Sequence, residues 1–254
     1  MKIYDVIVLG GSGFLGSEFV NFFNNKNLKV LSLNSKNYKL FKGSFAKVII
    51  NANGNTYRYK ANKNPTWDFK KSFLSVCKSV HDFKYNCYIF ISSVDVYDNK
   101  NNKKKNSENS FINTIKLDFY AYHKWIAERY VEKYTKNYLI FRLGTLIGPN
   151  MKKGPFYDII KKNSLFMSLD SKLTIISKLN AVNLIFKIYK LKLKNQIFNI
   201  TSSKSFLLKK LKNKFTNIKI ISNKKYEYDI NVSKIKKYFQ IPNSISEVKK
   251  LFKF

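Results

Sequence analysis

Apolar positions in the first half of the chain fall into short runs that alternate with stretches of helical period. Residues 3–9 (IYDVIVL) form a β-rich apolar run of the kind a strand buried on both faces shows. A glycine loop follows, then SEFVNFFNN, with apolar residues at helical spacing. Residues 28–33 (LKVLSL) and 46–52 (AKVIINA) read as further strands, and the gap between them is too short for another full strand–helix unit. The pattern then predicts a helix over 66–80, a strand over 87–93 (CYIFISS), a polar low-complexity loop over 98–110, a helix over 118–135 and a strand over 138–143 (YLIFRL). Beyond a loop with Gly148, Pro149, Gly154 and Pro155 the pattern is mixed. Strands are expected at 196–200 and 217–221, and a terminal helix at about 245–253, after Pro242. No internal repeat is present. Alternation of strand and helix implies parallel strands joined by crossovers.

Three glycines punctuate the first strand–helix junction. Gly10, Gly13 and Gly16 follow the strand directly and open the helix. A turn without side chains lets backbone approach a pyrophosphate, and the helix N-terminus offers N–H donors. A glycine turn without a ligand is the plain alternative. An NAD site usually carries an acid after the second strand to bind the adenine ribose hydroxyls. Here that position reads Asn34, Ser35, Lys36. Without a carboxylate to repel it, a 2′-phosphate is accommodated, which favours NADP over NAD. In so lysine-rich a chain, Lys36 is also an ordinary surface residue.

Farther along, Ser93 ends the ISS strand, where parallel sheets place their ligands. Tyr120 and Lys124 lie four apart in the helix over 118–135 and share a face with Ala127 and Val131. An ammonium beside a phenol favours the phenolate, so such a tyrosine can exchange a proton with a substrate hydroxyl. Taken alone, Tyr-x-x-x-Lys is weak, because 17 Tyr and many Lys make chance matches common.

Composition narrows the class. The 254 residues are 44% hydrophobic, with 22 Phe, which suits one α/β domain, or one with a small second lobe. No apolar run approaches a membrane span, and the N-terminus reads as a strand rather than a signal peptide. Cys77 and Cys87 have no metal-binding spacing and read as reduced cytoplasmic thiols, so no metal is expected. The net charge of +33 comes almost wholly from lysine, since only Arg58, Arg129 and Arg142 are arginine. Lysine and asparagine codons are AT-rich, so a biased genome accounts for the excess. A dedicated nucleic-acid partner is not expected, although a basic chain admits one.

The order glycine loop, VIINANG, ISSVDVY, Y-x-x-x-K and RLGTLIGP resembles the extended short-chain dehydrogenase/reductases, the NAD-dependent epimerase/dehydratase family. GGSGFLG is similar to its cofactor loop. ISSVDVY is similar to its S-S-x-x-V-Y, where the serine four before the tyrosine, here Ser93 before Tyr97, is catalytic. FNITSS and DINVSKIKKYFQIP resemble its late strand and ending. The resemblance implies an α/β fold, a doubly wound parallel Rossmann sheet with a small C-terminal substrate lobe. The Rossmann core would span 1–147, and the lobe 148–254, with late strands returning to the core. It implies an NAD(P)-dependent reductase, epimerase or dehydratase acting on a nucleotide sugar or related sugar, in the cytoplasm, with a homodimer allowed. Tyr120 would be the acid/base, Lys124 would bind the nicotinamide ribose and tune Tyr120, and Ser93 would orient the substrate. Phe14 and Leu15 would lie along the pyrophosphate, and Asn51, Ala52 and Asn53 would line the cofactor. The chain departs from the family in its shortness, in the acid-free stretch SKLNAVNLI, and in Thr145 where epimerases carry Asn. A dinucleotide-binding protein without turnover, serving as sensor or assembly factor, is the alternative of another class. It is told apart by tight cofactor binding without conversion of any sugar nucleotide. Steep salt dependence of nucleic-acid affinity would mark a polyanion-binding module instead.

Overall fold

A computed structural model describes residues 2–214 and 219–252. Among these, the strands are β1 (Ile3–Leu9), β2 (Val30–Leu33), β3 (Phe45–Asn51), β4 (Lys84–Ser93), β5 (Tyr138–Leu143), β6 (Thr145–Ile147), β7 (Lys172–Leu173), β8 (Ile175–Ser177), β9 (Gln196–Ile200) and β10 (Phe206–Leu207). The α-helices are α1 (Gly16–Asn24), α2 (Arg58–Lys63), α3 (Pro65–Asp68), α4 (Ser75–Asp82), α5 (Phe119–Tyr134), α6 (Pro155–Ile160), α7 (Lys178–Lys190), α8 (Ser233–Lys236) and α9 (Ser244–Phe252).

Six strands form one sheet in the order β2-β1-β3-β4-β5-β9. The neighbours β2, β1, β3 and β4 run parallel, with Leu9 level with Leu33 on one side and Asn51 on the other. Strand order reverses between β1 and β3, the crevice where such sheets take their ligands. The continuous apolar runs are explained by burial on both faces. Ile7, Leu9, Ile49, Tyr88 and Phe90 meet Val76 and Val80 of α4 and Ala127 and Val131 of α5. The alternate residues Val6, Val8, Val48, Ile50 and Ile89 are equally buried and face the other way. Helices α1 and α7 pack together through Phe22, Phe23 and Phe186. This is the doubly wound α/β arrangement expected from the sequence. A standard dinucleotide fold carries one more strand outside β2; here a single 3-10 turn, Tyr38–Phe41, fills that short connection.

The chain divides into two compact units. The first comprises Met1–Asp98, Ile112–Arg142 and Val182–Phe198, and the second Asn99–Phe111, Leu143–Ala181 and Asn199–Phe254. The units thus interleave along the chain, with Val182–Phe198 returning to the first. The second has its own core, including Ile147, Phe156, Leu173, Ile175, Phe206 and Val248. Its polar 99–111 segment is anchored by Asn106, which is fully buried and bonds the carbonyls of Asn99, Lys100 and Asp229.

Two expected elements differ. The single helix over 66–80 is instead α3, a π turn at Phe69–Leu74, and α4. Pro65 lacks an N–H and starts a helix, and the Asn64 side chain caps it by accepting from Trp67 N at 3.0 Å. The expected strand at 217–221 lies partly outside the described residues; Ile220 makes an isolated bridge to Leu165.

Candidate active site

The glycine loop leaves β1 at the strand-order reversal. Gly10 N and Gly11 N donate to Leu33 O at 2.8 and 3.1 Å, which lays the loop along the end of β2. Gly10 has φ +77°, and a Cβ there would lie 3.0 Å from Asn53 N. A Cβ on Gly16 would run into the Gly10 carbonyl oxygen. Both positions therefore need glycine for a close backbone approach. Phe14 and Leu15 complete the loop, with Leu15 buried at the start of α1. The turn after β2 lies at the same end. Asn34 folds onto it, accepting from Lys36 N at 2.9 Å, while Ser35 and Lys36 are exposed.

At the end of β3, Ala52 N donates to Leu9 O at 3.0 Å, so Ala52 and Asn53 border the loop. Asn51 lies differently. Its side chain is fully buried and donates to Tyr88 OH at 2.7 Å and Ser79 Oγ at 3.1 Å, while its Oδ1 accepts from Asn53 N at 3.0 Å. It holds the strand end in shape from within the core. Together these segments form a side-chain-poor cradle of backbone at the N-terminus of α1. That arrangement fits a dinucleotide pyrophosphate.

Ser93 closes β4, and its Oγ accepts from Asp95 N at 3.1 Å. Tyr120, buried on α5, lies beside Ser93, whose hydroxyl donates to Asp95 Oδ2 at 3.3 Å. Lys124, one turn on and also buried, donates to Ile91 O at 3.2 Å and lies over the Phe90 ring. The three expected residues thus lie together at the C-terminal end of β4. Their electrostatics depart from expectation. Burial drives the Tyr120 phenol well above its ordinary value and the negative Asp95 adds to this, while the neighbouring Ser93 hydroxyl opposes it. Burial also pulls Lys124 down to about 8, against the opposing pull of Asp68 and Glu128.

No motif announces the charges around this trio. Asp118 caps α5 by accepting from Ala121 N at 3.0 Å and pairs with Arg58, which reaches Asp95 at 3.4 Å. Asp68 pairs with His123 at 2.7 Å. The one available signal was scarcity: acids number 15 against 48 Lys and Arg, so each one is conspicuous. Arg142, expected to be structural, grips Glu128 with Nε and Nη2 at 3.1 and 2.7 Å and bonds Tyr97 OH. Among the described residues no group of three His, Cys, Asp or Glu could hold a metal, and no helix is long and apolar enough to cross a membrane.

The profile of the NAD dependent epimerase/dehydratase family matches residues 6–165, well over half of the 254 residues. No curated protein sequence matches the chain. Solved structures share the fold at low identity. A UDP-galactose 4-epimerase is 16% identical, with 94% of this chain and 93% of that one covered, at TM-score 0.76. The UDP-glucuronic acid 4-epimerase from Bacillus cereus, in complex with UDP-glucuronic acid and NAD, is 17% identical, covering 99% and 97%, at 0.77. The dTDP-4-dehydrorhamnose reductase from Bacillus anthracis, in complex with NADP, is 14% identical, covering 99% and 98%, at 0.77.

Proposed function

The chain belongs to the NAD dependent epimerase/dehydratase family, enzymes of the extended short-chain dehydrogenase/reductase type, and on that premise we propose that it acts on a nucleotide sugar through Ser93, Tyr120 and Lys124. The observation that carries this reading is the convergence of three side chains at the C-terminal end of β4: Ser93 ends the strand, Tyr120 lies buried beside it on α5, and Lys124, buried one turn on, bonds the Ile91 carbonyl of the same strand. The structural likenesses to UDP-sugar epimerases and a dTDP-sugar reductase support the substrate class.

In this reading Gly10, Gly13, Phe14, Leu15 and Gly16 hold the pyrophosphate of NAD or NADP. Asn34, Ser35 and Lys36 meet the adenine ribose, and Asn51, Ala52 and Asn53 shape the wall beside it. A bound nicotinamide supplies hydride exchange. Ser93 binds the reacting sugar oxygen and aligns it with Tyr120. The raised phenol is protonated at neutral pH, so Tyr120 is in the form that gives a proton to an alkoxide. Lys124 holds the nicotinamide ribose hydroxyls with its ammonium. The exposed Ser35 and Lys36 favour NADP.

The test is conversion of UDP-glucose, UDP-glucuronic acid or dTDP-4-dehydrorhamnose with each dinucleotide, products being read by mass spectrometry. Tyr120→Phe keeps the ring and removes the ionisable hydroxyl. Its turnover is expected to fall roughly 10²–10⁴-fold with affinity nearly unchanged. Turnover close to wild type removes Tyr120 from the chemistry. Tight dinucleotide binding with no conversion of any sugar by the wild-type protein points to a binding protein instead.

A further inference from the structure

In the six-stranded unit, two carboxylates are fully buried, Asp68 and Glu128. Glu128 is matched by the fixed cation of Arg142. Asp68 is held differently, by neutral donors and an imidazole. Its Oδ1 accepts from Ser72 Oγ at 2.8 Å, its Oδ2 pairs with His123 Nδ1 at 2.7 Å, and the Asn55 side chain bonds it as well. These partners come from three segments that border Lys124: the exit of β3, the π turn and α5. A single glycine marks how close they are. A Cβ on Gly54 would lie 3.4 Å from Lys124 Nζ and 3.8 Å from Ser72 Oγ. Ser72 lies four residues after Asp68, the spacing at which side chains on successive helical turns meet.

We propose that Asp68 is a positioning residue whose buried negative charge keeps Lys124 in its ammonium form, with His123 and Ser72 clamping the carboxylate in place. The inference rests on the reading of Lys124 as the residue that holds the dinucleotide ribose. Lys124 lies next to His123 in the sequence, so the clamp and its beneficiary are fixed by the same helical turn. The charged groups facing Lys124 are Asp68 from α3 and Glu128 from α5, the latter matched by Arg142 of β5. Those facing the neighbouring Tyr120 are Asp95 after β4, Asp68, and Arg58 of α2. Burial disfavours the charged lysine, and of the opposing charges Asp68 acts most strongly. Hydrogen bonds from His123, Ser72 and Asn55 hold the Asp68 carboxyl below its usual range, against its own burial, so its charge is present at neutral pH.

The experiment is a titration of NADPH affinity from about pH 6 to about pH 10, the span over which a buried lysine changes charge. Lysine is charged below its pKa, so wild-type affinity is expected to weaken as pH rises through about 8. In Asp68→Asn the affinity at the acid end persists and the midpoint moves down by about one pH unit, the low end of what an opposite charge nearby does. The double variant Asp68→Asn/His123→Gln replaces both partners by amides that can still bond each other, which protects the fold; the same downward shift is expected. His123→Gln alone leaves the carboxylate charged and keeps the wild-type midpoint. An unchanged midpoint in both Asp68 variants overturns the proposal. So does a shift in His123→Gln as large as that in Asp68→Asn, because packing would then be the cause. Lys124→Met separates the two levels of the argument. If it too keeps the wild-type pH dependence, the cofactor-site reading fails along with the proposal; if it abolishes that dependence while the Asp68 variants do not move it, only the proposal fails.

Discussion

Individual side chains carry the choice of cofactor. Ser35 and Lys36 are exposed beside the loop that fits a pyrophosphate, where an NAD site would carry a carboxylate. NADPH is therefore expected to bind more tightly than NADH in side-by-side calorimetry, and Lys36→Glu to lower that preference by about tenfold, the scale of reversing one exposed charge beside a phosphate. Equal affinities for both dinucleotides in the wild-type protein would remove the assignment. At this scale the sequence was legible where residues follow a pattern. Periodicity places the strand that Ser93 ends and the helix that carries Tyr120 and Lys124, while the family resemblance is what singles these three out. The sequence was silent where partners are distant. His123 meets Asp68 across 55 positions, and no local spacing encodes that. The direction of the Tyr120 shift was misjudged for the same reason. A helix spacing of four announces a lysine beside a phenol, but the burial that dominates comes from the tertiary packing around α5, which no local spacing encodes.

Elements are joined by the same scarce charges. Helix α5 is tied to β5 by Glu128 and Arg142, and Ser92 of β4 donates to Glu128 at 2.5 Å. Both ions are buried, so leaving one without the other is costly. Arg142→Met is expected to lower unfolding free energy by about 3–5 kcal/mol, read from urea denaturation. The double variant Arg142→Met/Glu128→Leu should lose less than either single change. Additive losses would show that the pair is not a unit. Helix α7 was described by sequence as a stretch lacking the family's acids. The structure supplies one from another element: Glu247 of α9 accepts from Ser177 N and from Asn180 Nδ2. The negative end that a helix N-terminus favours thus arrives from α9, some seventy residues later. The β strands through β5 were predicted well because burial on both faces writes itself as an unbroken apolar run. The short strands β6, β7, β8 and β10 span two or three residues, too few for any period to register.

The whole molecule is organised by chain crossings rather than by a cut. The sequence reading places the core at 1–147 with late strands returning to it, and the first unit takes in Val182–Phe198. Those residues bring the buried Val182, Ile185, Ile188 and Phe198, with Phe198 stacked on Phe141 at 6.1 Å. They also supply β9, which flanks β5 in the sheet. A fragment of residues 1–147 is therefore expected to lack fixed side-chain packing. It would show residual far-ultraviolet but no near-ultraviolet circular dichroism, the behaviour of a loosely packed state. A fragment with a sharp cooperative melt would show that the late segment is dispensable. Loss of the strand beyond β2 has a further result at this scale. It leaves β2 as the outer rim of the sheet, with one row of backbone donors and acceptors not used by another strand. Such rims recruit other chains and seed insoluble assemblies. Here the rim is four residues long and flanked by Lys29 and Lys36. A short, positively charged border is the kind that repels its own copies, and the turn after β2 takes one of its carbonyls, Asn37 Nδ2 donating to Ser32 O at 3.1 Å, so the lysine excess and a single asparagine both work against edge-to-edge pairing.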